Sequence, residues 1–154
     1  MLKKIAKFLT KNKLTLSVAE SVTGGLISDM ITNIPGSSYY FLGGVTAYSN
    51  NVKIKILKVK KDDIKKYSAV SEVTAGQMAK GVKQLTGSDI SIAVTGIAGP
   101  AGGTLSKPVG LVYIAIIFMD KIVTKKFNFK GSRLSIKDQA AKKSLKMLLD
   151  ALKD

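Results

Sequence analysis

Helix-type and strand-type patterns alternate along almost the whole chain, and that alternation limits the folds open to it. Residues 2–12 carry apolar positions at Leu2, Ile5, Phe8 and Leu9, the spacing of one helical stripe. Residues 14–19 alternate apolar and polar, as a strand does. Residues 24–34 read as a helix that Pro35 and Gly36 stop. Residues 40–48 favour a strand, but Gly43 and Gly44 inside it predict a bulge or a close neighbour. Short helices are expected over 51–57 and 62–67, and Ser71 can cap a helix over 72–85 that Gly87 ends. "ISIAVTG" (90–96) is a buried strand, and a glycine-rich loop follows it to Lys107. Residues 109–118 and 122–129 flank "MDK" as a hairpin, and a last helix begins at Ser135 and runs to Leu152. Alternating helices and strands with one hairpin near the end predict the α/β class, a three-layer α/β/α sandwich with a mixed β-sheet. A single domain over residues 1–154 accommodates it.

A chain of 154 residues, 45% of them hydrophobic, buries a core without help. No apolar run reaches a membrane span; "GLVYIAIIF" (110–118) has about half of the roughly 20 residues needed. The N-terminal "MLKKIAKFLTKNK" has scattered lysines and no small-residue cleavage site, so it reads as a surface helix and not as a signal peptide. A cytoplasmic protein with no membrane partner is expected. The chain has no cysteine and no histidine. Disulfides, thiolate ligands and a cysteine nucleophile are thereby excluded, and the commonest general base is missing. Catalysis falls to Ser, Thr, Lys, Tyr, Asp or Glu.

The formal charge of +15 suits nucleic acid or another anion as partner. However, the lysines are spread evenly, at Lys3, Lys58, Lys83, Lys125 and Lys143 for example, and no aromatics interleave with them for base stacking. A solvating coat is the better reading, and no specific nucleic-acid partner is expected. Against twenty-four lysines stands one arginine, Arg133, which suggests a need for a guanidinium there.

Four stretches could carry chemistry. In "VAESVTGG" (18–25), Ser21 sits where a strand gives way to a helix. Free N–H groups and a partial positive charge there suit an attacking oxygen or a developing oxyanion. The bland reading makes Ser21 or Thr23 a helix cap and the two glycines packing. In "AYSNNVK" (47–53), Asn50 can cap a helix, which puts Lys53 in its first turn near Tyr48. Without histidine, a lysine of lowered pKa is the available base for a serine. The alternative is a solvated lysine like Lys55 and Lys58. "TGIAGPAGG" (95–103) follows the buried strand at its carboxyl end, where open α/β sheets bind ligands, and its amides suit phosphate or an amide carbonyl. It is neither a Walker A loop nor a GxGxxG fingerprint, and a plain turn is the alternative. In "KGSRLS" (130–135), Arg133 beside a helix start could hold a phosphate, or lie on the surface.

"AESVTGG", "IPGSS", "GGVTAYSNNVK", "AVSE", "TGIAGPAGG" and "KPVG" occur here in the order of the CinA C-terminal domain family, which the chain resembles from Leu14 to the last helix. Stand-alone members of that family are nicotinamide-nucleotide amidohydrolases. The resemblance implies hydrolysis of the carboxamide of nicotinamide mononucleotide to nicotinate mononucleotide and ammonia, a step of pyridine-nucleotide salvage. It implies no metal and no cofactor. It places the nucleophile on Ser21, the base on Lys53 and an assisting tyrosine on Tyr48. Substrate contacts are expected at Glu20, Thr23, Gly24 and Gly25, at Ser37 and Ser38, at Thr95, Gly96 and Gly99, and, for the phosphate, at Arg133. The oxyanion would rest on amides near Thr23 to Gly25 or in the glycine loop. Two departures bear on the phosphate grip. The family often has Gly-Asp-Arg where this chain has Gly131, Ser132 and Arg133, and often an arginine where it has Lys137. Longer members carry an N-terminal domain resembling molybdopterin-binding proteins, for which this chain is too short. The competing classes are a basic nucleic-acid-binding module and a catalytically silent nucleotide-binding domain. Small α/β enzymes often pair, so a homo-oligomer, a dimer, is expected.

Overall fold

The computed structural model describes residues 1–153. In chain order the elements are α1 (Leu2–Asn12), β1 (Leu16–Glu20), α2 (Leu26–Thr32), a 3-10 turn (Ser37–Tyr39), β2 (Phe41–Thr46), α3 (Asn50–Lys55), α4 (Lys61–Tyr67), α5 (Glu72–Thr86), β3 (Ile90–Gly96), β4 (Leu111–Phe118), β5 (Lys121–Asn128) and α6 (Arg133–Ala151). The strands form one sheet in the order β2-β1-β3-β4-β5. β1 runs parallel to both β2 and β3, and β4 and β5 continue the sheet antiparallel. The sheet is mixed, as the alternation with a late hairpin predicts.

Its two faces are covered differently because the strands alternate large and small side chains. Leu16 and Val18 of β1, Ile90, Ile92 and Val94 of β3, and Val112, Ile114 and Ile116 of β4 point to one side. There they pack against Ile5 and Leu9 of α1, Ile27 and Ile31 of α2, and Ile136, Ala140, Leu145 and Leu148 of α6. The opposite face carries Ala19, Ala93 and Ala115 and meets Ala75, Met78, Ala79 and Val82 of α5. Small residues let α5 lie close, and Ser91 donates a hydrogen bond to the Ala79 carbonyl at 2.8 Å across the gap. At Gly81 a Cβ would fall 2.0 Å from the Leu57 carbonyl oxygen, so only glycine fits there. Helices therefore flank the sheet on both sides, and the three-layer α/β/α sandwich holds. No helix among the described residues is long and apolar enough to cross a membrane.

Both reasons for glycine in β2 are present. The register slips between Leu16 and Ser17, leaving Leu42 as a bulge, and a Cβ on Gly44 would meet the Val18 carbonyl oxygen at 2.9 Å. α5 is capped as expected, with Ser71 Oγ accepting from the Thr74 N–H and Gly87 left-handed at its end. α6 begins earlier than Ser135. Ser132 is the cap, its Oγ accepting from the Ser135 N–H, so Arg133 is the first helical residue. The parallel strands β1, β2 and β3 all end on one edge of the sheet, and the chain leaves it there at Ser21, Ala47 and Ile97.

Candidate active site

Ser21 is held one residue past β1 by its N–H, which donates to the Val94 carbonyl at 3.0 Å. Ala47 leaves β2 the same way, donating to the Glu20 carbonyl at 2.7 Å. The chain then turns into α3, capped by Ser49, whose Oγ accepts from the Val52 N–H at 3.2 Å; Ser49 and not Asn50 is the cap. Starting the helix at Asn50 sends the side chain of Lys53 inward, and it is only 2% exposed. Its Nζ lies 2.9 Å from Ser21 Oγ, 2.7 Å from the Ala47 carbonyl oxygen and 3.3 Å from that of Tyr48.

Three acceptors satisfy an ammonium. The same set suits a neutral amine better for chemistry: its two N–H groups can donate to the two carbonyls, which leaves the lone pair facing the Ser21 hydroxyl. Burial lowers the Lys53 pKa from 10.5 to about 8, because the charged form loses its water. About a tenth of the molecules then carry a neutral lysine at pH 7.

The pair lies in a cavity of about 170 Å³. Ser21, Val22, Lys53, Ala69, Val70, Thr95, Gly96 and Ala98 line it, and the exposed Tyr48, Asn50 and Arg133 stand at the mouth. The volume is well under the roughly 300–1,000 Å³ that encloses a drug-sized ligand. One ring with its substituent fits, and the remainder of a larger molecule would lie outside, across Tyr48 and Arg133. In a larger depression of about 520 Å³ beside α5, Lys83 Nζ donates to the Ser88 carbonyl at 2.9 Å and the Ser88 hydroxyl is engaged by Ser17 and Ile90; one of about 650 Å³ beside α1 and α6 is lined by no serine.

Of the residues expected at the site, the structure gathers Ser21, Lys53, Thr95, Gly96 and Arg133 around this cavity. Arg133 donates from Nη1 to the Gly99 carbonyl at 2.7 Å and from Nη2 to Tyr48 Oη at 2.8 Å. Gly99 is thus at the rim through its carbonyl. Tyr48 is 61% exposed, and its hydroxyl faces Arg133, not the Ser21–Lys53 pair. Only its backbone carbonyl reaches Lys53, so the tyrosine expected to assist the base meets it through the main chain, and its hydroxyl stands at the rim.

Glu20 is corrected from a substrate contact to the cap of α2. Its Oε2 accepts from Thr23 Oγ1 at 2.7 Å and from the N–H groups of Gly25 and Ile27, and its Oε1 from the N–H and Oγ of Ser28. No capacity is left for a ligand, and neither Ser21 nor Thr23 caps the helix. Thr23 is buried and spent on Glu20. Gly24 and Gly25 are left-handed, which the tight turn into α2 requires. They face a separate depression with Asp29, Leu134 and Lys137. Because the Gly24 and Gly25 N–H groups serve Ser21 O and Glu20, they are not free for an oxyanion. The N–H groups of Val22 and Thr23 donate to no acceptor among the described residues, and Val22 lines the cavity. Ser37 and Ser38 sit in the 3-10 turn at the amino end of β2, the opposite edge of the sheet, because parallel β1 and β2 deliver only their carboxyl ends to the site. The sequence reading missed the Ala47 carbonyl, Asn50 and the Ala69–Val70 wall; backbone acceptors carry no residue signature.

The capping role gives a stability prediction. Glu20→Ala leaves three N–H groups at the start of α2 without their acceptor and should destabilise the fold by about 2–4 kcal/mol. Urea titration at neutral pH measures it; a loss under about 1 kcal/mol would show that water replaces the carboxylate.

The family model described as the CinA C-terminal domain matches residues 1–152. A CinA-like protein from Thermotoga neapolitana is 47% identical over 150 residues, which are 97% of this chain and 36% of that protein. A CinA-like protein from Desulfotalea psychrophila is 50% identical over 144 residues, 94% of this chain and 35% of its own length. The chain thus spans about a third of the length of the curated relatives it matches. Among solved structures, the competence/damage inducible protein CihA from Agrobacterium tumefaciens superposes with a TM-score of 0.96 at 36% identity, over 99% of this chain and 93% of that one.

Proposed function

The chain belongs to the CinA C-terminal domain family, and from that premise we propose that it is an amidohydrolase that converts the carboxamide of nicotinamide mononucleotide to a carboxylate and ammonia. The observation that carries the proposal is the buried Lys53 Nζ, 2.9 Å from Ser21 Oγ with its pKa lowered to about 8. A serine hydroxyl paired with a partly neutral amine is an activated nucleophile.

In the proposed reaction the pyridine ring enters the cavity with its carboxamide carbon against Ser21. Ser21 Oγ attacks that carbon as its proton passes to Lys53. The oxyanion is stabilised by the unengaged N–H group of Val22, which lines the cavity. The C–N bond then breaks, and Lys53 returns the proton to the departing ammonia. Water, deprotonated by Lys53, attacks the acyl-enzyme; as the C–O bond to Ser21 breaks, Lys53 passes that proton to Ser21 Oγ, restoring the hydroxyl and the neutral amine and releasing nicotinate mononucleotide. The Ala47 and Tyr48 carbonyls keep the amine aimed at Ser21 throughout.

The phosphate is assigned to Arg133. Its fork has donors beyond the two used by Gly99 and Tyr48, and it begins α6, where backbone N–H groups favour an anion. Ser132 does the capping that an aspartate would do, so that departure from the family leaves the helix start intact. Lys137 lies beside Gly24, 3.6 Å from where a Cβ on that glycine would be, and adds positive charge on the same side of α6.

Ammonia release from purified protein given nicotinamide mononucleotide tests the reading, and no release sinks it. The same assay tests Arg133. A charged hydrogen bond contributes roughly 1.5–3 kcal/mol, so Arg133→Lys should lower kcat/KM for the mononucleotide by about 10- to 100-fold. Nicotinamide riboside, without the phosphate, should be affected little. An equal loss for both substrates would take the phosphate away from Arg133.

A further inference from the structure

Two of the sequence motifs, "AVSE" (69–72) and "KPVG" (107–110), take no part in this chemistry, yet the fold sets them against each other. The geometry points to Lys107 as a positioning residue that braces the segment 67–70, whose Ala69 and Val70 line the cavity, and so holds the substrate's ring against Ser21. The inference rests on the amidohydrolase reading.

Tyr67 ends α4, and residues 68–70 lead on towards α5 without a ladder of their own; Ala69 and Val70 line the cavity. Side chains take all four carbonyls of residues 67–70. Lys107 Nζ donates to Tyr67 O at 2.8 Å and to Val70 O at 2.7 Å. Ser71 Oγ and Thr74 Oγ1 donate to Ser68 O, and Thr95 Oγ1 donates to Ala69 O at 2.8 Å. Ser68 has a φ of 79°, a conformation that a non-glycine residue keeps only where its surroundings over-determine it. The ties at Ser68 come from α5, which follows directly in the chain, and the tie at Ala69 comes from β3. Lys107 alone reaches the wall from the glycine-rich loop, and it closes both ends of the segment.

The loop is shaped to deliver that lysine. The Thr104 N–H donates to Lys107 O at 2.8 Å, and the Lys107 N–H donates to Thr104 Oγ1 at 3.0 Å. Gly110 and Ile97 close the base, with the Gly110 N–H donating to Ile97 O at 2.7 Å. The start of the same loop is tied to Arg133 through the Gly99 carbonyl. One loop therefore links the rim where a phosphate would sit to the wall against which a ring would lie. Partial burial and nearby Lys126 both lower the Lys107 pKa, as expected of an ammonium whose partners are neutral carbonyls.

The test compares Lys107→Met, which keeps the apolar stem and loses both bonds, with Lys107→Arg, whose fork can still reach two carbonyls. In Lys107→Met, amide hydrogen exchange over residues 67–71 accelerates. The kcat for nicotinamide mononucleotide falls about 10- to 100-fold, the scale of a slightly misplaced reacting group. KM, set mainly by the remote phosphate, changes less than about threefold. Labelling of Ser21 by a small fluorophosphonate, which needs no ring wall, keeps its wild-type rate. Lys107→Arg restores kcat to within about threefold. Wild-type kcat or wild-type exchange in Lys107→Met overturns the inference, as does an arginine variant as slow as the methionine one. Loss of Ser21 labelling in Lys107→Met assigns the lysine to the fold at large and overturns the positioning role. If the wild type releases no ammonia, the amidohydrolase reading falls, and the exchange comparison alone decides whether Lys107 braces the wall.

Discussion

Replacing Ser21 by alanine should reduce ammonia release from nicotinamide mononucleotide by at least about 10⁴-fold while leaving affinity for the substrate nearly unchanged. The substitution removes one oxygen atom at the end of β1 and little volume. Lys53 keeps two of its three acceptors, the Ala47 and Tyr48 carbonyls, so no buried charge is orphaned and the fold should persist. The backbone bond from the Ser21 N–H to Val94 does not involve the side chain, so the turn stays in place. Binding, measured by calorimetry with the intact mononucleotide, depends on the cavity walls and on Arg133, and of these the change removes only the Ser21 hydroxyl. The loss should therefore fall on kcat. Retention of more than a few per cent of the wild-type rate moves the nucleophile elsewhere; a large fall in affinity instead makes Ser21 a binding residue.

What the sequence makes legible here, and what it hides, follows from the range of the interactions involved. α5 is readable at both ends because its signals are local: Ser71 caps an N–H three residues on, and Gly87 supplies the left-handed stop. β3 and β4 are readable because strands buried on both faces must be apolar along their length. The cap of α2 is not readable in the same way. It comes from Glu20, a residue of the preceding strand, reaching five to eight residues forward across two left-handed glycines. A charged residue in an apolar strand invites a functional reading, and here its charge is consumed by helix N–H groups.

Ser21 and Lys53 could be proposed from their places at strand-to-helix junctions and from the order of the family's motifs. The burial of Lys53 could not, because residue type does not separate it from Lys55 and Lys58. The decision lies in the Ser49 cap, which sets where α3 begins and so which lysine turns inward. Tyr48 and Ser37–Ser38 show the complementary limit. Adjacency in sequence puts Tyr48 beside the base through its carbonyl while its hydroxyl points away, and the direction of β2 carries the two serines to the far edge of the sheet.

The second large effect concerns Lys53, whose neutral form favours both activity and stability. Its folded pKa of about 8 lies below its ordinary 10.5. Only the neutral form can take the Ser21 proton, so kcat/KM should climb roughly tenfold per pH unit below about 8 and level off above it. Lys53→Met should abolish this activity at every pH. For stability the sign is the same but the pH window is higher. Between about pH 8 and 10.5 the unfolded chain holds a proton on this lysine that the folded chain has released, so stability rises with pH across that window. Below it both states are protonated and the full penalty of a buried ammonium remains. Methionine fills the same channel without a charge to desolvate. Lys53→Met should therefore be at least as stable as the wild type at pH 7 and lose that advantage as the pH approaches 10.5. Denaturant midpoints of both proteins across this range, set beside their pH–rate profiles, make the measurement. A wild-type rate independent of pH between about 6 and 9 removes Lys53 as the base. A methionine variant markedly less stable at neutral pH would mean that the ammonium's three hydrogen bonds outweigh its burial. The low pKa on which the proposed chemistry depends would then be wrong.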